Sequence, residues 1–157
     1  MSSQFTHFDD HGNAIMVDVS RKAATARSAT AAGKIQMSSE CFNTVAYGKV
    51  KKGDVLSVAR IAGIMAVKNT SILIPLCHPL QIEKASIDFE LLEDKNEIKV
   101  YCTVKTSGKT GVEMEALTGV TAALLTIYDM CKAVDKGMKI LDVFLIEKIG
   151  GIAEVKL

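Results

Sequence analysis

The chain has 157 residues, 48% of them hydrophobic and only 5% aromatic, with no tryptophan and a formal net charge of +1. That length and apolar content fit one domain, residues 1–157, around an aliphatic core, and the near-zero charge excludes a global field for nucleic acid or an anionic membrane surface. Four cysteines without C-x-x-C spacing make neither a zinc frame nor a disulfide framework, and no apolar run approaches the ~20 residues of a membrane span, so a cytoplasmic protein with reduced thiols is expected.

The first 20 residues are polar at the start and end in an extended stretch, Met16-Val17-Asp18-Val19-Ser20. The Ala-rich residues 23–32 fit helix or strand equally well. Residues 38–47 read as a short helix beginning at Ser38 or Ser39. A glycine-bounded loop follows, Gly48-Lys49-Val50-Lys51-Lys52-Gly53. Asp54 is a suitable N-cap for a helix reaching about Lys68. Val55, Leu56, Val58, Ile61, Ile64, Met65 and Val67 make that helix apolar nearly all round, so burial on most sides is expected. Arg60 is its internal charge, and a buried guanidinium there would need a carboxylate or phosphate partner.

The two prolines, Pro75 and Pro79, bracket Leu76, Cys77 and His78. Proline fixes its own φ and restricts its predecessor, so these three side chains sit in a stiff, non-helical loop. Such a loop is either a rigid turn with a buried Cys and an exposed His, or a device that presents both. Residues 82–93 and 97–106 alternate as half-buried strands around an Asp94-Lys95-Asn96 turn, a hairpin. A long helix over about 111–134 and a last strand over 138–148 complete the order β-α-α-β-β-α-β. The predicted class is α+β: a ferredoxin-like sandwich, antiparallel with helices on one face, plus an additional helix.

Thr110 and Glu113 have capping-box spacing at the start of the long helix. Ser107-Gly108-Lys109-Thr110 has part of a phosphate loop, but the first P-loop glycine would fall at Thr103. Lys109 still lies where helix-start donors attract anions. Glu115 shares a helical stripe with Thr118, Ala122, Leu125, Asp129 and Lys132. Its small and apolar middle predicts a packed face with Asp129 and Lys132 at the edge. Those two are either a surface ion pair or a carboxylate held beside an ammonium for proton transfer.

Three ungapped blocks carry a resemblance: Pro75-Leu76-Cys77-His78-Pro79-Leu80, Gly108 through Thr118, and Leu125 through Ala133. Met16 through Ser20, Lys52 through Val55 and Ala59 through Ile64 add to it. Together they resemble the cyclic pyranopterin monophosphate synthases, the accessory protein C family of molybdenum-cofactor biosynthesis. The resemblance implies conversion of 3′,8-cyclo-7,8-dihydroguanosine 5′-triphosphate to cyclic pyranopterin monophosphate with release of pyrophosphate. It implies Asp129 as general acid/base with Lys132 as partner, Lys52 as the loop lysine, and Leu76, Cys77, His78, Glu113, Met114 and Glu115 at the substrate. It implies no redox step, no resident cofactor beyond a Mg²⁺ that can accompany the triphosphate, no bound metal, and a hexamer built from dimers. Glu115 and Asp129 stand roughly 21 Å apart along one helix at 1.5 Å per residue, which with that assembly predicts a site shared across a dimer interface.

The tail departs from the family pattern: Lys148-Ile149-Gly150-Gly151 is followed by Ile152-Ala153-Glu154, where a second basic residue is expected. Lys49, Lys51, Lys52, Arg60 and Lys109 are candidate cations for a triphosphate. Two competing readings are a metal-dependent phosphohydrolase using His78, Glu113, Glu115 and Asp129, whose spacing matches no common metal signature, and a non-enzymatic nucleotide-binding module on the same scaffold.

Overall fold

The computed structural model describes residues 6–48, 54–151 and 155–156. Its elements are β1 (Thr25–Gln36), α1 (Ser39–Ala46), α2 (Val55–Lys68), α3 (Thr70–Leu73), β2 (Lys84–Leu92), β3 (Glu97–Gly108), α4 (Glu113–Cys131), β4 (Lys139–Ile149) and β5 (Val155–Lys156). The expected order is present, with α3 and the two-residue β5 added. The strands form one antiparallel sheet in the order β2-β3-β1-β4-β5. Its first four strands have the ferredoxin-like arrangement, and α4 packs over β1, β3 and β4 beside α2, which covers β2.

The Ala-rich segment resolves as β1, the strand between β3 and β4. Alanine favours helix by propensity, but pairing on both edges overrides it. The small side chains have a packing purpose. Ala29, Ala31 and Ile35 face the helices and are buried. A methyl group added at Gly33 would come within 2.9 Å of Leu124, Val120 and Val143, so glycine here sets how closely α4 approaches the sheet. The β2–β3 hairpin closes through a 3-10 turn at Glu93–Lys95 and Asn96 at φ 50°, a conformation asparagine tolerates. Along β3 the predicted alternation holds, with Ile98, Val100, Cys102 and Val104 all buried.

Asp54 caps α2 as expected, accepting from Leu56 N (3.0 Å) and Ser57 N (3.2 Å). The predicted burial of α2 on most sides is corrected. Val55, Ala59, Gly63 and Val67 form its buried stripe at i+4 steps, while Val58, Ile61 and Met65 are exposed. Arg60 is likewise exposed, with its guanidinium 5.5 Å from the centre of the Phe89 ring, a cation–π contact. It needs no buried anion because it lies off the inward stripe. Met16 through Val19, expected to be extended, carry no regular secondary structure and pair with no strand, and Ser20 lies in a turn.

Candidate active site

The stiff loop forms as the prolines require. α3 ends where Ile74 N donates to Thr70 O (2.8 Å), and Cys77 N turns back to Ile74 O (3.1 Å). Leu76, Cys77 and His78 follow, all half-buried, so the alternative of a buried Cys with an exposed His is not what forms. Opposite them, the chain leaves β3 and enters α4. The capping box is corrected: the N-cap is Val112, with no side-chain capping bond. Glu113 instead makes an ion pair with Lys148 on β4, a charge-assisted partner stronger than a backbone N–H. Gly111 leaves room for that carboxylate, which a Cβ there would strike.

These two segments wall a cleft of about 460 Å³, within the range of small-molecule sites. Leu76, Cys77, His78, Glu113, Met114 and Glu115 all line it. The fold therefore brings together two three-residue segments, 76–78 and 113–115, that are far apart in the chain. Glu115 is 4% exposed. Its carboxyl is pushed up from the usual range, mainly by burial, with the charge of Glu113 adding to the effect and its own backbone N–H opposing it. Burial also pushes the Cys77 thiol up, and the Glu115 carboxylate adds to this. Glu113 is matched by Lys148 and Glu115 is driven toward its neutral form, so the cleft carries less negative charge than its sequence implies and can admit an anion.

Asp129 and Lys132 are not part of this cleft. They form an i,i+3 ion pair of 2.7 Å at the other end of α4. Fourteen residues separate Glu115 from Asp129, roughly 21 Å at 1.5 Å per residue. The expected packed stripe is corrected as well: Glu115 is buried, but Leu125 is 55% exposed and Asp129 and Lys132 are open to solvent within the single chain. The stripe is covered by the chain's own core only at its N-terminal end. Asp129 raises the Lys132 pKa through its hydrogen bond, which holds the ammonium charged. Lys52, with Lys49 and Lys51, lies outside the described residues. Among the described residues, no group of three or more His, Cys, Asp or Glu side chains is arranged to hold a metal ion. The four proposed phosphohydrolase ligands are split between the two ends of α4.

Sequence reasoning missed one wall of the cleft. Thr6, His7, Val17, Val19 and Lys22 also line it, all from the N-terminal arm. The available signal was the apolar run Ile15-Met16-Val17, with Val19, in a segment that joins no strand. Lys109, expected to meet an anion, instead donates to Ser20 O (2.8 Å) of this arm.

The model of the MoaC family matches residues 16–151. A cyclic pyranopterin monophosphate synthase of Clostridium perfringens (strain 13 / Type A) is 60% identical over 151 residues, 96% of each chain. The synthase of that name from Desulfitobacterium hafniense is 56% identical over 148 residues, 94% of this chain and 90% of its own. That of Halalkalibacterium halodurans is 51% identical over 150 residues, 94% of this chain and 91% of its own. Similarity of this extent spans both the cleft and the Asp129–Lys132 end of α4, and on it the chain belongs to the MoaC family.

Proposed function

We infer that the chain is a cyclic pyranopterin monophosphate synthase. It converts 3′,8-cyclo-7,8-dihydroguanosine 5′-triphosphate to cyclic pyranopterin monophosphate and pyrophosphate, in molybdenum cofactor biosynthesis. The observation that carries the reading is the cleft itself: six residues from two distant family-like blocks converge on one nucleotide-sized space. His78, Glu113 and the buried Glu115 supply donors and acceptors for the edges of a guanine-derived ring. Met114 and Leu76 supply apolar surface, and Cys77 lines the pocket as a protonated thiol. Asp129 moves the proton during rearrangement, with the Lys132 ammonium hydrogen-bonded beside its carboxylate. Lys52 stabilises the negative charge that develops as pyrophosphate leaves. The reading assigns no resident cofactor, and any Mg²⁺ arrives with the triphosphate.

The 21 Å span along α4 leads to the oligomer. One chain cannot bring Glu115 and Asp129 to the same ring, so a second copy supplies Asp129 and Lys132 to the cleft of the first. Leu125 on α4, with Val58, Ile61 and Met65 on α2, leaves apolar surface exposed, of the kind that marks association. A hexamer built from such dimers is the assembly proposed, in the cytoplasm; no helix of the described residues is long and apolar enough to cross a membrane.

The test is incubation of the purified protein with the cyclised nucleotide, following pyrophosphate and pyranopterin together. Stoichiometric appearance of both is expected. Binding of the nucleotide without either product would contradict the reading and favour a non-enzymatic nucleotide-binding module.

A further inference from the structure

Two thiols outside the cleft meet in the core. Cys41 lies on α1 and Cys131 is the last residue of α4. Both are buried and both are free thiols. The Cys41 S–H donates to the Cys131 sulfur. A second set of contacts clasps the same two helix ends. Cys131 O accepts from Asp135 N (3.1 Å), Asp135 Oδ2 accepts from Ser38 N (2.7 Å), and Ser38 Oγ accepts from Cys41 N (3.2 Å). The start of α1 and the end of α4 are thus held by a closed ring of polar contacts, one of them sulfur to sulfur. A cysteine that only fills space in a core packs as a small hydrophobe and needs no such ring.

The two sulfurs are not equivalent. The hydrogen bond from Cys41 stabilises a thiolate at Cys131 and lowers its pKa, against burial; the same bond, with burial, pushes Cys41 up. Cys131 is the nucleophile of the pair and Cys41 keeps its proton. Residues 132–134, which follow Cys131, are exposed, so fraying of the helix end opens a path for a small neutral oxidant. Cys131 also sits between Asp129 and Lys132 on the last turn of α4, and a change at its sulfur is felt by both.

We propose that Cys41 and Cys131 are a reversible redox modification site, oxidised by hydrogen peroxide to an intramolecular disulfide that displaces Asp129 and Lys132 and switches off turnover. The Cys131 thiolate attacks one peroxide oxygen, the O–O bond breaks, and hydroxide leaves a sulfenic acid behind. The Cys41 sulfur then attacks the sulfenic sulfur. The S–S bond forms, the S–O bond breaks, and the Cys41 proton departs with the hydroxyl as water. The first hydroxide takes up the proton that Cys131 released, so two thiols lose two electrons and peroxide ends as two waters. The bond draws the sulfurs from hydrogen-bond contact to about 2 Å, pulling the last turn of α4 toward α1. The loss of turnover rests on the synthase reading; formation of the disulfide does not.

The purified protein is treated with hydrogen peroxide, remaining thiols are alkylated, and the digest is mapped by mass spectrometry without reduction. A peptide pair linking Cys41 to Cys131 is expected, released by dithiothreitol. Turnover of the cyclised nucleotide should fall about tenfold or more, because a misplacement of roughly 1 Å costs a reacting group up to ~100-fold, and it should return with dithiothreitol. Cys41→Ala should keep the basal turnover and show neither the link nor the reversible loss. Cys41→Val, which leaves less of a cavity, serves if the alanine variant does not fold. Peroxide oxidation of the wild type without a Cys41–Cys131 link would overturn the proposal. A reversible loss that persists in the Cys41 variant would place the sensitivity at another thiol, such as Cys77 in the cleft, and overturn it too. A link that forms with full turnover would overturn the switch. If the reduced wild type made no product but the link formed, the synthase reading would fail and the redox site would stand.

Discussion

Glu115 has two tendencies in opposition. The start of a helix favours its charged form, but the side chain is 4% exposed and burial dominates, raising its pKa. A carboxyl whose folded pKa lies above its unfolded value stabilises the fold fully below the unfolded value and loses that contribution as pH rises through the folded one. Glu115→Gln keeps a neutral side chain at every pH. It should therefore be more stable than the wild type at pH 8 in urea unfolding, with the gap shrinking as pH falls toward 5. A gap that is constant with pH would show that Glu115 does not titrate differently on folding. Beside it, the Cys77 thiol is raised by burial and by Glu115, so little thiolate is present at neutral pH. Cys77→Ser should retain substantial turnover, and a covalent adduct on Cys77 during catalysis would refute its non-nucleophilic role. Asp129 and Lys132 are exposed in the single chain, where ion pairs contribute little to stability. Asp129→Ala and Lys132→Ala should keep the wild-type circular dichroism spectrum yet lose most turnover; wild-type rates in either folded variant would remove them from the reaction.

At the scale of elements, β1 and α4 fix the site through close approach. Three branched side chains crowd the Cβ position of Gly33 within 2.9 Å. Gly33→Ala should cost about 1–2 kcal/mol, an overpacking penalty partly offset by the lower backbone entropy of alanine. A clear fall in the urea midpoint is the expected reading, and an unchanged or higher midpoint would mean the helix can move away freely. The same small residues explain what was hidden in the sequence. Periodicity could not tell strand from helix over the Ala-rich segment, because its pattern is set by partners on both edges and by α4 above. The hairpin was legible because Ile98, Val100, Cys102 and Val104 alternate at the strand period and the face they share is buried. The cap at Asp54 was legible because it is local. The cap at Thr110 failed because Lys148, distant in sequence, competes for Glu113. Arg60 was misplaced for a related reason: an all-apolar helix reads as buried unless its contact stripe is known, and that stripe is made of Ala59 and Gly63 more than of its large residues.

Across the whole molecule, the candidate site was partly legible. The Pro-bracketed loop and the start of α4 meet in one cleft, as their family-like blocks imply, while the arm carrying Lys22 could not be foreseen because its place depends on Lys109 and Ser20. The distance from Glu115 to Asp129 was fixed by helix rise alone, and the exposed Leu125 between them leaves that face free for another copy. The measurement that bears most directly on a site shared between chains is complementation. Inactive Glu115→Ala and Asp129→Ala proteins are mixed in equal amounts, subunit exchange is verified by mass, and turnover of the cyclised nucleotide is followed. In a two-fold dimer with random exchange, half the dimers are mixed and each carries one intact site, so recovery of about a quarter of wild-type activity is predicted. No recovery after demonstrated exchange would contradict a site built from two chains.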